Sequence, residues 1–197
     1  MMPRLAETGD KAEYRKVWEQ SFPDEKSFVD FFFEKRFFPS WSVGSYEDGK
    51  LVSCLHSLPL TILVRGRQLP CAMVAGVATL PEYGGKGYMR QTFTFYLREM
   101  AKRQLPFIVH TPAHLPTFFK LGHMPVSTTA YILTPSAPPQ VFPQGIDLID
   151  PLANLDALTR CYNKNAARYS GIVSRSREDF RLKTEDYLSV GAKFAAR

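Results

Sequence analysis

The pattern of apolar and polar positions changes period several times along the chain, and each change marks an element. Tyr14, Val17 and Trp18 fall on one helical face. Phe28, Phe31 and Phe32 belong to a second helix that opens after Pro23-Asp-Glu25. Asp10 and Glu13 have the spacing of a capping box ahead of the first helix, and residues 4–6 suit a short strand before that. Residues 41–46 read as a strand and Glu47-Asp-Gly-Lys50 as a hairpin turn. Residues 51–64 read as a long strand in which Pro59 implies a bulge or bend. Arg65-Gly-Arg67 makes the next hairpin, and residues 68–79 the strand after it. Met89, Phe93, Tyr96, Leu97 and Met100 then give one apolar face to a helix over residues 87–104. A strand over 105–110, a helical segment over 112–121 stopped by Gly122, and a strand over 126–133 complete this region.

Thr134-Pro-Ser-Ala-Pro-Pro-Gln-Val-Phe-Pro143 cannot form a regular element, and residues 135–144 read as a linker. The chain thus divides into a first domain, 1–134, and a segment, 145–197, with no sheet of its own. In that segment Leu152, Leu155, Leu158 and Tyr162 form a helical stripe, and Ser176 with Asp179 opens another helix carrying Phe180, Tyr187 and Leu188. Two such helices bury little surface alone. They are expected to dock on the first domain, to pack on another subunit, or to stay mobile, which leaves a homo-oligomer open.

Composition narrows the function classes. Hydrophobic residues make up 45% of the 197, enough for a sizeable core. No apolar run approaches the roughly 20 residues of a membrane span, and the N-terminus has no signal-peptide core. The three cysteines, Cys54, Cys71 and Cys161, are odd in number and far apart. That pattern suits reduced thiols in a cytoplasmic protein and gives no zinc or disulfide framework, so no metal is expected. The net charge is +6. Lys and Arg are spread over helices and hairpin tips, which reads mostly as a solvated face. No nucleic-acid motif accompanies them, and a polyanionic small ligand would use the same charge.

The most specific chemistry lies in Met73-Val-Ala-Gly-Val-Ala-Thr79, followed by Leu80-Pro-Glu-Tyr-Gly-Gly-Lys-Gly-Tyr-Met-Arg90. A strand of small and β-branched residues runs into a glycine-rich basic loop and then directly into a helix. The first N–H groups of a helix lack acceptors, and the peptide dipoles place partial positive charge there. Glycine lets the backbone approach a ligand, and Lys86 adds a full charge. This construction suits a phosphate or pyrophosphate. Neither the P-loop spacing nor the Gly-x-Gly-x-x-Gly dinucleotide spacing is present.

These residues resemble motif A of the GNAT acetyltransferases, in which such a loop holds the coenzyme A pyrophosphate. The element order β-α-α-β-β-β-α-β-α-β over residues 1–134 is similar to theirs. The resemblance implies a mixed α/β fold, a twisted mixed sheet flanked by helices. The wording of residues 77–90, Leu58-Pro59, and the Pro-Ala pair Pro112-Ala113 followed by Phe118 and Leu121-Gly-His123 look like the Eis-like branch. Asn163-Lys-Asn165, Tyr169 to Val173 and Arg175 resemble the opening of that branch's second, degenerate domain.

The resemblance implies acetyl transfer from acetyl-CoA, as co-substrate, to an amine acceptor. It would place the co-substrate on Val77, Ala78, Thr79, Gly84, Gly85, Lys86, Gly87, Tyr88, Met89 and Arg90. Small residues at Ala75, Gly76 and Ala78 permit close approach, although Gly76 suits a bulge without ligand role equally well. Asp24, Glu25 and Asp30 would border the acceptor cleft and attract a cationic amine, against a reading as caps and solvated charges.

Two departures stand out. Gly84 replaces the Arg or Gln that begins the family motif, which weakens phosphate binding. Phe118 falls where the branch has its general-acid Tyr, and the terminal carboxylate that serves the branch as base belongs to a domain absent from these 197 residues. His110, His114 and His123 are the nearby titratable groups. His114, one turn before Phe118, is the first choice among them, and Tyr88 and Tyr131 are weaker substitutes. The alternatives are a catalytically weak or inactive GNAT fold that binds acyl-CoA, or a truncated Eis-like protein.

Overall fold

Alternating and β-branched residues build two long antiparallel strands, β3 (Lys50–Val64) and β4 (Arg67–Thr79). Arg65 and Gly66 join them with φ of 48° and 77°. Two successive positive φ values give a hairpin turn whose twist matches that of its strands. In this computed structural model, which describes residues 2–112, 115–126 and 145–196, β2 (Val43–Glu47) lies on the other edge of β3 and β1 (Arg4–Leu5) lies beyond it. All these pairings are antiparallel. The last strand on this path, β5 (Ile108–Val109), pairs with β4 in parallel. A parallel neighbour needs a crossover, and α3 (Tyr88–Lys102) supplies it.

Neighbouring strand residues point to opposite faces, so the sheet feeds two cores. On one face Cys54 and Ala78 pack with Tyr14, Val17 and Trp18 of α1 (Lys11–Ser21), and with Val29 of α2 (Lys26–Phe31) and Phe32 and Phe33 just after it. On the other face Leu55, Ala72 and Val74 pack with Phe93, Tyr96 and Met100 of α3. Phe118 of α4 (Leu115–Phe119) closes this second core. Cys54 and Cys71 are buried free thiols, and Cys161 is exposed.

His56 sits fully inside the first core. Its ring centroid lies 5.4–5.7 Å from those of Tyr14, Trp18, Phe32, Phe33 and Phe37. Nδ1 lies 3.2 Å from Ser42 Oγ, and Nε2 has no partner among the described residues. Burial disfavours the charged ring and pushes its pKa down to about 3. The unfolded chain, with an ordinary value of about 6.5, therefore binds the proton better. This contribution to stability is complete above about pH 6.5 and is lost as pH falls toward 3. The urea midpoint of the wild type should drop between pH 6.5 and 4.5 by more than that of His56→Phe. Parallel curves for the two proteins would mean that His56 carries no such linkage.

Several elements differ from the sequence reading. Asp10 does not form a capping box with Glu13. A short turn over Thr8–Asp10 already gives Asp10 helical dihedrals, and its carboxylate bonds the Glu7 N–H and Arg4 instead. Pro59 causes no bulge and pairs in register opposite Ala72. It stands in the gap between the pairings with β2, which end at Leu55, and those with a C-terminal strand, which begin at Thr61; within that gap β3 has β4 as its sole neighbour among the described residues. A missing N–H costs little there. Most of the expected strand over 126–133, Tyr131 and all of the 135–144 linker lie outside the described residues.

The C-terminal segment holds strands as well as helices, which corrects the sheet-free expectation. β6 (Asp147–Ile149) pairs with β8 (Phe194–Ala196), and β7 (Ile172–Ser174) adds to the main sheet opposite Thr61, Ile62 and Leu63 of β3. The expected helices form as α5 (Leu155–Ala166) and α6 (Arg177–Ser189), the latter with the Ser176–Asp179 capping box. Tyr162 Oη donates to the Val173 carbonyl at 2.7 Å, tying α5 to β7. The segment thus docks on the first domain through main-chain pairing.

Candidate active site

The site begins with an extra residue in β4. Cys54 pairs with Ala78 but His56 pairs with Ala75, so β4 carries one residue more than β3 across this interval. Such a bulge re-aims the backbone and increases the local twist. Gly76 lies in it with φ +55°, and a Cβ there would come within 2.0 Å of the Trp18 ring. Trp18 is held in place by its Nε1–H, which donates to Asp24 at 2.8 Å. Gly76 therefore has the bulge role that the sequence left open, and it lines the cleft as well.

β4 and β5 pair only at Ala72–Ile108 and Met73–Val109. Beyond these pairs a cleft of about 320 Å³ opens, with Val74, Ala75, Gly76 and Val77 on one wall and His110, Thr111 and Pro112 on the other. Thr117, Phe118 and Phe22 complete it, and Met89 of the first turn of α3 lies at its edge. Past Met73, the β5-facing backbone of β4 has no strand partner among the described residues, so its polar groups are available to an extended ligand.

The loop before α3 is built from a short turn, Pro81–Tyr83, and glycines in left-handed conformations, Gly85 at φ 74° and Gly87 at φ 86°. Gly87 is the N-cap, and no side chain caps the helix. The first N–H groups of α3 therefore remain for a ligand. Tyr83 supports two ammonium groups over its ring, Lys86 Nζ at 4.8 Å and Lys50 Nζ at 5.1 Å from the centroid. Lys50 is also held by Glu82 at 3.0 Å.

The structure divides the residues singled out from the sequence. Val77 and Met89 line the cleft. Gly84 to Tyr88 form the loop and helix start. Ala78 turns into the core against α1, and Thr79 Oγ1 is bonded to Ser53 at 2.8 Å. Arg90 lines a separate hollow on α3 with Phe95 and Arg98. Tyr88 Oη donates to Glu47 at 2.7 Å, and that bond, with burial, pushes its pKa up to about 12. On the α1–α2 side, Asp24 is engaged by Trp18, and Asp30 is paired with Arg15 and with Lys26 at 2.6 Å. Glu25 is the N-cap of α2 and makes no side-chain cap bond.

His114 lies outside the described residues. What the sequence reading underweighted is a histidine pair. His110 Nε2 and His123 Nδ1 are 2.8 Å apart, and the His110 ring centroid lies 4.5 Å from that of Phe118. Burial lowers the pKa of both imidazoles, and each ring packs on Phe93 and Phe118. The available signal was their placement on either side of the short α4 turn, which folds back and brings its flanks together. Among the described residues, no group of three or more His, Cys, Asp or Glu is placed to hold a metal, and no helix is long and apolar enough to cross a membrane.

Comparison with known proteins agrees with this architecture. A probable N-acyltransferase of unknown function from Enterococcus faecalis superposes with a TM-score of 0.72 at 19% identity, covering 91% of this chain and 47% of its own. Eis1 from Mycobacterium abscessus gives 0.67 at 16% identity, covering 98% and 50%. A GNAT family acetyltransferase from Brucella melitensis, solved in complex with acetyl-CoA, gives 0.52 at 20% identity, covering 61% and 80%. The chain thus spans about half the length of the first two. No curated protein matches it. The family model described as acetyltransferase (GNAT) domain matches residues 2–125, and the chain belongs to that family.

Proposed function

We infer that this chain binds acetyl-CoA along the opened edge of β4 and transfers the acetyl group slowly to a primary amine. The observation that carries the reading is the continuity of the cleft with the uncapped start of α3, where Met89 borders both. The pantetheine arm would lie against residues 74–77 and the pyrophosphate on the backbone of residues 84–89. The fit is chemical: unpaired main-chain donors and acceptors suit an extended amide-bearing arm, and a helix N-terminus with Lys86 suits phosphate. Gly84 supplies no side chain, so affinity is modest. The acetyl-CoA complex of the Brucella melitensis relative supports the same co-substrate. The Eis-like motifs and the match to Eis1 over nearly the whole chain support reading it as the N-terminal half of an Eis-like arrangement.

The cleft would hold the thioester beside the amine, which is the larger part of what the site supplies. Backbone N–H groups at the β4 bulge would polarise the carbonyl. A proton donor for the leaving thiolate is missing at Phe118, which is buried among Phe93, His110 and His123. Slow turnover follows. Phe118→Tyr should raise thiol release from acetyl-CoA by about 100-fold, the lower end of the roughly 100- to 10,000-fold range for a positioned acid. An unchanged rate, with acetyl-CoA affinity retained, would remove Phe118 from the account. The second reading, a binding module without turnover, also rests on Phe118 and predicts acetyl-CoA binding with no thiol release from the unaltered chain.

A further inference from the structure

The geometry points to the His110–His123 pair as the proton carrier of this cleft, with His110 as its base and then its acid and His123 as the residue that positions it. The inference rests on the acyl-CoA reading above and deepens it. His110 lines the cleft, at the mouth formed where β5 leaves β4. Its ring stands 4.5 Å from the ring of Phe118, so an imidazole occupies the neighbourhood in which the family's hydroxyl is missing.

The 2.8 Å contact between His110 Nε2 and His123 Nδ1 requires one proton between them. With His110 Nε2–H donating, His110 Nδ1 keeps its lone pair and serves as the base. Among the described residues, the rings packed on the pair are apolar. Phe93 approaches from α3 and Phe118 from α4. Burial lowers the pKa of both rings, and a charge on His123 would lower that of His110 further. Both rings are therefore neutral at pH 7, as a base must be.

The steps balance as follows. The lone pair of a neutral amine attacks the thioester carbon; the N–C bond forms and the carbonyl electron pair moves to oxygen. The nitrogen, now positively charged, gives its proton to His110 Nδ1. The oxygen pair then restores C=O, the C–S bond breaks with its pair on sulfur, and the His110 proton passes to the thiolate. The products are an amide and a free thiol, and His110 returns to its neutral form. While His110 is protonated, His123 Nδ1 accepts from its Nε2–H and holds the ring in register.

The test measures thiol release from acetyl-CoA with glycinamide, lysine amide and spermine, beside calorimetric titration of acetyl-CoA. His110→Gln should lower the rate about 100-fold and leave the affinity within about 3-fold. His123→Phe should lower it about 10-fold, whereas His123→Asn, whose Oδ1 replaces Nδ1 as acceptor, should restore most of the rate. The wild-type rate should rise through a pKa below the ordinary histidine value of about 6.5, and His110→Gln should lose that limb. If the wild type fails to bind acetyl-CoA, the acyl-CoA reading falls and the pair with it. If it binds but releases no thiol, or if His110→Gln keeps its rate or loses its affinity for acetyl-CoA, the proton-carrier role alone is overturned.

Discussion

Gly76→Val should lower stability by about 4 kcal/mol, a change that lowers the melting temperature of a chain this size by roughly 8–16 °C. Two effects combine. A branched side chain at φ +55° adopts a backbone that L residues avoid, which costs about 1–2 kcal/mol. The new Cβ also meets the Trp18 ring at 2.0 Å, and the ring cannot retreat because Phe22, Phe28, Phe32 and Phe33 pack around it. Overpacking of this kind adds about 1–3 kcal/mol. Gly66→Ala is the control. That residue has φ +77° with nothing within 4 Å of an added Cβ, so it reports the backbone part alone. Thermal melts followed by circular dichroism would decide the matter. A Gly76→Val melt no lower than that of Gly66→Ala would mean that Trp18 does not clamp the bulge.

The second large effect concerns binding. Gly87→Val should weaken acetyl-CoA at least about 10-fold, a loss of roughly 1.4 kcal/mol, while the protein remains folded. A Cβ at Gly87 meets nothing within 4 Å, so the core is not disturbed. Its φ of 86°, however, sets the backbone at the start of α3, and a β-branched residue resists that conformation. The added side chain would also stand where the phosphate is expected. Asn tolerates left-handed backbone better than other residues, so Gly87→Asn should keep more of the affinity. Titration calorimetry on both variants measures this, and equal affinities for wild type and Gly87→Val would contradict a phosphate seat at the helix start.

The first-domain strands of the main sheet and the long helices are legible because period and punctuation agree. Strands β3 and β4 alternate between two cores, and Arg65-Gly66 is a turn that twists as a hairpin must. The glycine loop was legible for a similar reason, since few sequences place glycines and a lysine directly before an amphipathic helix. The failures arose where tertiary partners decide. Pro59 implies a bulge or bend because proline lacks a donor, yet it makes no bulge, and a gap in strand pairing accommodates it. The true bulge carries Gly76, and what fixes it is Trp18, a residue 58 positions earlier in the numbering. β7 was missed because a short strand that completes a distant sheet has almost no local signal. In the site, the contact that joins His110 to His123 across the turn of α4 depends on how that turn folds back and leaves little local signal, while His114 lies outside the described residues. Asp24 and Asp30 were legible as charges, but their engagement with Trp18, Arg15 and Lys26 depends on packing between α1 and α2.

The central claim is that an acyl-CoA lies in the opening between β4 and β5 with its pyrophosphate on the loop before α3. Amide-resolved NMR of the labelled chain, titrated with coenzyme A, tests it most directly. The largest shifts should fall on the N–H groups of residues 84–89, with a second set along residues 74–77 and at His110. Shifts confined to the hollow around Arg90 and Arg98, or the absence of any shift at residues 84–89 at millimolar coenzyme A, would contradict it.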